Sequence, residues 1–353
     1  MSWIKIIFIN LIVIFGFLVF IEAGFRVHER YLTNYDILKN ANPKDFRASR
    51  PEPYKHSNYF SKDFIEESFK QPEGWSTPSG TRLIIPNNFK GNWFNYQNNK
   101  RVTVGQPKKY QSRILLFGGS TVQNSEVPDD FTIASFIQSK VASNNILVEN
   151  YGVTSVHSGQ QLERLKQDVR LDKNDTVIFY DGVNDVLQRA YYGNPDGWII
   201  NEVAKAPKVA KIIRGSSEYM AIFRWLDKNV VTKKFEYDFA LAEKSAHDYA
   251  REIEAAKRYV ESSGAQFIHF LQPTLFTKLK KNNYEENLVR MAPEGLELVY
   301  NTTYPLIRKS LKSSIDLTDI FDEMKESPYF DFCHVNEIGN ERVAQEILKN
   351  FNR

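Results

Sequence analysis

A single cysteine, Cys333, stands among 353 residues. One thiol excludes an intrachain disulfide and any cysteine-cluster metal site. It leaves the compartment open, because a chain of this length can bury a core without cross-links. Charge of one sign is also lacking. Lys and Arg number 46 against 43 Asp and Glu, a formal net charge of +3. Nucleic-acid binding needs a strongly basic face, so no such partner is expected. Glycine, at 17 residues, is too scarce for a collagen-like chain. No P-loop, G-x-G-x-x-G or H-E-x-x-H motif is present, and neither a cofactor nor a metal is expected. What remains is ordinary globular usage, 42% apolar and 25% charged, which argues against disorder. At about 150 residues per domain, the length suits one large domain or two modest ones.

The first strong signal is WIKIIFINLIVIFGFLVFI, from Trp3 to Ile21, in which Lys5 is the one charge. At about 1.5 Å per residue this run just spans a hydrocarbon core of about 30 Å. It is apolar all round and ends in Glu22, Arg26, Glu29 and Arg30. A cleaved signal peptide has small residues before its cut, and Glu22-Ala23-Gly24-Phe25 matches that poorly. The expectation is an uncleaved, single-pass transmembrane signal anchor over residues 1–25, with the bulk of the chain on the extracytoplasmic side (periplasmic or extracellular). Lys5 on one flank and Arg26 and Arg30 on the other give the positive-inside rule little to decide.

Residues 26–111 carry Pro43, Pro51, Pro53, Pro72, Pro78 and Pro86 and repeated aromatics, among them Tyr54, Tyr59, Phe60, Trp75, Trp93 and Tyr96. Proline fixes φ and removes a donor, so a stalk followed by short strands or loops packed on the main domain is expected. Those aromatics suit either packing or stacking on sugar rings. From Ser112 onward the pattern alternates. The runs RILLF (113–117), ILVE (146–149), TVIFY (176–180), QFIHFL (266–271) and residues 315–317 are short, apolar and bounded by turn residues. Helix-period stretches at 132–142, 159–169, 240–261 and 298–311 lie between them. Strand and helix in alternation predict a five-stranded parallel sheet covered by helices, in a domain spanning 112–353. The interval 188–237, with Tyr191, Tyr192, Trp198 and Trp225, exceeds one crossover and suits a lid or an added helical layer.

Open parallel sheets bind ligands beyond the carboxyl ends of their strands. There the sequence places Gly118-Gly119-Ser120-Thr121, then Asn150 through Ser158, then Asp181-Gly182-Val183-Asn184-Asp185. Asp331-Phe332-Cys333-His334 follows near the C-terminus, ahead of a helical pattern from Glu337. Singly, each has a plain explanation: a serine caps a helix, an asparagine makes a turn. Together they form a serine-nucleophile set. A hydroxyl is a poor nucleophile until a base takes its proton. His334 is the candidate base, Asp331 the group that orients it, and Ser120 the nucleophile. Donors for an oxyanion would come from the Asn184 amide, the Ser120 N–H and the turn from Gly152 to Ser155. His157 and His269 read as core histidines. Cys333 reads as a small packing residue turned from the pocket.

The blocks FGGST, NYGVTSVHSGQ, DGVND and DFCH, in this order, resemble the four blocks of the SGNH (GDSL-type) hydrolase superfamily, over about residues 113–351. The resemblance implies a flavodoxin-like three-layer α/β/α fold and metal-free hydrolysis of acyl esters. By position it assigns Ser120 as nucleophile, Asn184 to the oxyanion hole, and Asp331 with His334 to the DxxH pair. Two departures stand out. Gly119 occupies the place of the family's Asp, and Ser155 the place of its oxyanion glycine, so that Gly152 is a second candidate donor. The G-x-S-x-G elbow of α/β-hydrolases fits less well, since Val122 stands where its last glycine belongs. The expected function is a membrane-anchored serine esterase acting on an acyl ester, be it a glycan O-acetyl group, a lipid or a small ester. The alternatives are an O-acyltransferase of cell-surface polysaccharide with the same triad, or a tethered binding protein without catalysis.

Overall fold

The computed structural model describes residues 16–17, 19–24, 26, 52–70, 75–76, 85–193 and 236–351. The chain divides into two compact units, Met1–Asn42 with Ile199–Glu236, and Pro43–Trp198 with Tyr237–Arg353. In the first unit the described stretch is helical, with Phe17, Val19 and Phe20 exposed. No helix among the described residues is long and apolar enough to cross a membrane. The transmembrane helix expected over Trp3–Ile21 is thus absent from the described fold, and most of that run lies outside the described residues. The same holds for most of the expected lid between 188 and 237.

The second unit is a mixed α/β fold. Its strands are β1 (Trp75–Ser76), β2 (Ile85–Pro86), β3 (Phe89–Lys90), β4 (Asn95–Gln97), β5 (Lys100–Arg101), β6 (Ser112–Gly118), β7 (Ile146–Asn150), β8 (Thr176–Asp181), β9 (Gln266–Leu271) and β10 (Ile315–Asp316). The main sheet has eight strands in the order β10-β9-β8-β6-β7-β5-β4-β3. The expected five-stranded sheet is therefore too small. The run from β10 to β7 is parallel, but β5, β4 and β3 extend it in antiparallel fashion. The physical reason is local. Strands of two or three residues separated by Asn-rich turns (Asn98 and Asn99 both have positive φ) carry no alternation long enough to register as a pattern.

Helices cover both faces. They are α1 (Lys62–Lys70), α2 (Ile133–Val141), α3 (Ser158–Asp168), α4 (Phe239–Ser262), α5 (Asn283–Met291), α6 (Leu296–Ser310) and α7 (Glu337–Phe351). Thr132 caps α2 by accepting from the Ser135 N–H, and Asn282 and Glu285 form a capping box on α5. On one face Ile114, Leu116, Val148, Ile178 and Phe270 pack with Ile133, Ile137, Val343 and Ile347. On the other, Phe117 stacks on Tyr151, and Tyr249 of α4 meets His269. All six residues of β8 are buried, as a central parallel strand requires. The early aromatics are packing residues: Tyr54, Tyr59, Phe64, Phe94 and Tyr96 cluster around Phe330, directly beside Asp331. β6 lies between β7 and β8, so the crevice where strand order reverses opens at the end of β6, just before Ser120.

Candidate active site

β6 ends at Gly118, and a single helical turn, Ser120–Gln123, follows. Both glycines are demanded by space. A Cβ on Gly118 would lie 2.3 Å from Val122 and 2.5 Å from the Tyr180 carbonyl. A Cβ on Gly119 would lie 2.3 Å from Asn184 Nδ2. The amide of Asn184 thus fills the space beside Gly119.

The loop 328–336 carries Asp331 and His334. An antiparallel bridge between Tyr329 and Val335 closes it, and the Leu275 N–H donates to the Phe332 carbonyl (2.8 Å). Within it the Asp331 Oδ1 accepts from the N–H groups of Cys333 and His334, each at 2.8 Å. Asp331 Oδ2 stands 2.7 Å from His334 Nδ1, and His334 Nε2 stands 2.8 Å from Ser120 Oγ. A carboxylate at Nδ1 keeps the proton there and leaves Nε2 as the acceptor for the serine. Burial alone would raise the Asp331 carboxyl, but the charge and hydrogen bonds of His334 and two backbone donors hold it well below the usual carboxylate range. Burial works against an imidazolium at His334. The Asp331 charge and hydrogen bond, with Cys333 and Glu126, together outweigh this, so His334 lies well above 6.5.

Cys333 is buried as expected, but it is not turned away: Sγ lies 3.6 Å from His334 Nδ1. Burial pushes its thiol up to about 12, so it stays protonated and unsuited to nucleophilic work.

The oxyanion candidates separate. Asn184 donates one Nδ2 hydrogen to the Val156 carbonyl (2.9 Å), which leaves the other, beside Gly119, for a ligand. The Ser120 N–H opens its helical turn and has no acceptor within it. Ser155 has φ +62, the left-handed conformation that makes a side chain costly. The turn is held there from two sides. Gln123 Oε1 accepts from the N–H and hydroxyl of Thr154, and Gln188 Nε2 donates to the Ser155 carbonyl. Among the described residues no acceptor takes the Ser155 N–H. Gly152 does not serve. Its N–H donates to Asn150 Oδ1 (2.9 Å), and a Cβ there would lie 2.3 Å from the Gln123 nitrogen. Its glycine identity answers to the close approach of the Ser120–Gln123 turn.

Gln188 and Gln123 escaped the sequence reading, as did the backbone contacts of Asn150. Each acts by hydrogen-bonding backbone of another segment, and no spacing in the chain announces such a pairing. His157 and His269 are buried, as expected of core histidines. His157, Asp185 and Glu252 are close enough to suggest a cation site, but Arg189 already stands among them, 2.6 Å from Glu252 Oε2.

No family model matches the chain, and no curated protein matches it. Among solved structures, it is similar to a member of the lipolytic protein G-D-S-L family from Veillonella parvula (15% identity, 69% of this chain and 100% of that chain, TM-score 0.42). It is also similar to a lipase/acylhydrolase from Enterococcus faecalis (14% identity, 68% and 95%, TM-score 0.39). A third likeness is to Axe2, an acetylxylan esterase from Geobacillus stearothermophilus (12% identity, 68% and 94%, TM-score 0.38).

Proposed function

We propose that this chain is a serine esterase of the SGNH type that hydrolyses acyl esters through an acyl-enzyme on Ser120. The observation that carries the reading is the unbroken hydrogen-bonded line from Ser120 Oγ through His334 to Asp331. As Oγ attacks the ester carbonyl, His334 Nε2 takes its proton, and the carbonyl oxygen becomes an anion. The Asn184 amide and the N–H groups of Ser120 and Ser155 are the donors for that anion. Collapse expels the alcohol, which leaves with the proton held on Nε2. Water then repeats the sequence on the acyl-enzyme and frees the acid. A fluorophosphonate probe that forms its adduct on Ser120 supports this reading. A folded protein that leaves Ser120 unmodified overturns it.

The base must be neutral to act, so kcat/KM falls as pH drops through the free-enzyme pKa of His334. Asp331 raises that pKa, which places the acid limb above 6.5. Asp331→Asn removes the charge responsible. Its expected result is a limb displaced to lower pH together with a kcat reduced on the order of 10⁴-fold. A pH profile of kcat/KM for both proteins checks this, and an unmoved limb in the variant counts against the pairing.

The apolar run from Trp3 to Ile21 supports tethering of the protein to a membrane, with the esterase unit held at the extracytoplasmic surface. Full-length protein is expected to sediment with membranes and to resist extraction by high salt. Protein lacking residues 1–25 is expected in the supernatant with its esterase activity intact. A full-length protein that stays in the supernatant refutes the tether.

A further inference from the structure

Behind the oxyanion turn, the segment that carries Asn184 grips the 155–158 turn at three successive points. Gln188 holds the Ser155 carbonyl, Asn184 holds the Val156 carbonyl, and Asp185 holds Ser158. The third grip is chemically unusual. Ser158 Oγ lies 2.6 Å from Asp185 Oδ1 and 2.7 Å from Glu252 Oε2. A hydroxyl owns one proton and donates to one acceptor. Two carboxyl oxygens at hydrogen-bond distance from it therefore need a second proton, carried by one of the two acids.

The surroundings say which. Arg189 Nη2 is 2.6 Å from Glu252 Oε2, whereas Arg189 Nη1 is 3.5 Å from Asp185 Oδ1. The cation sits on Glu252. His157 Nδ1 accepts from the Gly159 N–H (3.1 Å) and faces Arg189 Nη2 at 3.1 Å. Asp185 is fully buried and Ser158 is too. Burial raises the Asp185 carboxyl to about 6, with Arg189 opposing and Asp181 at the end of β8 acting in the same direction as burial. The order that satisfies every contact runs from the Asp185 acid proton to Ser158 Oγ, and from the Ser158 hydroxyl to Glu252, which Arg189 neutralises. The Ser158 N–H donates to the Asp185 oxygens as well, at 3.2 Å.

We propose that Asp185 is a positioning residue for the oxyanion hole: as a neutral acid that donates to Ser158, it fixes the 155–158 turn against the segment bearing Asn184 and so sets the spacing of the Ser155 and Asn184 donors. It touches no reacting atom. The proposal rests on the esterase reading for its kinetic consequence, but the clamp itself is a property of the resting protein.

Two substitutions test it. Asparagine at 185 keeps a neutral donor toward Ser158 Oγ and an acceptor for the Ser158 N–H, whereas alanine keeps neither. Asp185→Ala is expected to lower kcat about 10- to 100-fold with KM changed less than about threefold, the pattern of misplaced transition-state donors. Asp185→Asn is expected to stay within about threefold of the wild type in both constants. Hydrogen exchange across 154–158 supplies an arm that needs no turnover. It is expected to quicken in Asp185→Ala and to stay at the wild-type rate in Asp185→Asn. If Asn is as damaging as Ala, Asp185 acts as an anion and the proposal is wrong. Unchanged exchange in a folded Asp185→Ala also overturns it. A wild type without esterase activity that still shows the exchange pattern keeps the clamp and sinks the esterase reading alone.

Discussion

Replacement of Ser120 by alanine is expected to abolish ester hydrolysis, with kcat on p-nitrophenyl acetate falling on the order of 10⁴- to 10⁶-fold. The size of the effect follows from the position of the hydroxyl. It is the end of a line whose two other members face each other at 2.7 Å, and no neighbouring group replaces it. Cys333, the nearest alternative nucleophile, keeps its proton, because burial pushes the thiol up to about 12. Ser120 Oγ is bonded to His334 alone among the described residues, so its loss costs the fold little, and the melting temperature is expected to change by no more than about 2 °C. A residual rate close to the wild type in a folded Ser120→Ala protein eliminates the acyl-enzyme. Loss of activity accompanied by a large fall in melting temperature would instead reveal a structural role for the hydroxyl.

The second large effect concerns stability. Arg101→Met is expected to destabilise the second unit by about 3–5 kcal/mol, measured by urea unfolding, because it strips one partner from a buried ion pair. The Arg101 side chain is 0% exposed, and Asp129, its partner at 2.5 Å, is 8% exposed. The guanidinium also donates to the carbonyls of Gln123 (3.2 Å), Asn124 (3.0 Å) and Val127 (2.9 Å) and lies over the Phe94 ring at 4.7 Å. Methionine fills the volume but leaves one carboxylate and three carbonyls without that donor. A domain holds only about 5–15 kcal/mol in all, so much of the margin disappears. Gln123 ends the Ser120–Gln123 turn and Asn124 directly follows it, which ties β5 to the site. Activity is therefore expected to decline at lower urea in the variant than in the wild type. A variant that unfolds at the wild-type midpoint would mean that Asp129 finds other donors, Asn95 being the nearest, at 2.7 Å.

Chain order and residue chemistry alone were enough to place the parallel strands and the helices between them, and to single out Ser120, Asp331 and His334, which the fold brings within hydrogen-bond distance. Strands buried on both faces must be apolar throughout, and helices between them must show one apolar stripe, so both leave periodic traces in the sequence. The Asp331–His334 pair was equally legible, because three residues of separation put both side chains on one turn. What needed the folded molecule was of another kind. β3, β4 and β5 are too short to leave a trace, and their place in the sheet is decided by pairing with β7 and by the Arg101 anchor. Gly152 and Ser155 looked interchangeable as donors along the chain. In space the Gly152 N–H is spent on Asn150, and Ser155 is held at φ +62 by residues about 32 positions before and 33 after it. The contacts among Asp185, Ser158 and Glu252 likewise join residues 94 positions apart. Periodicity records which side of an element faces the core. The aim of a backbone N–H and the surroundings of a buried acid depend on groups that only tertiary contact brings together, and these were decided by the structure.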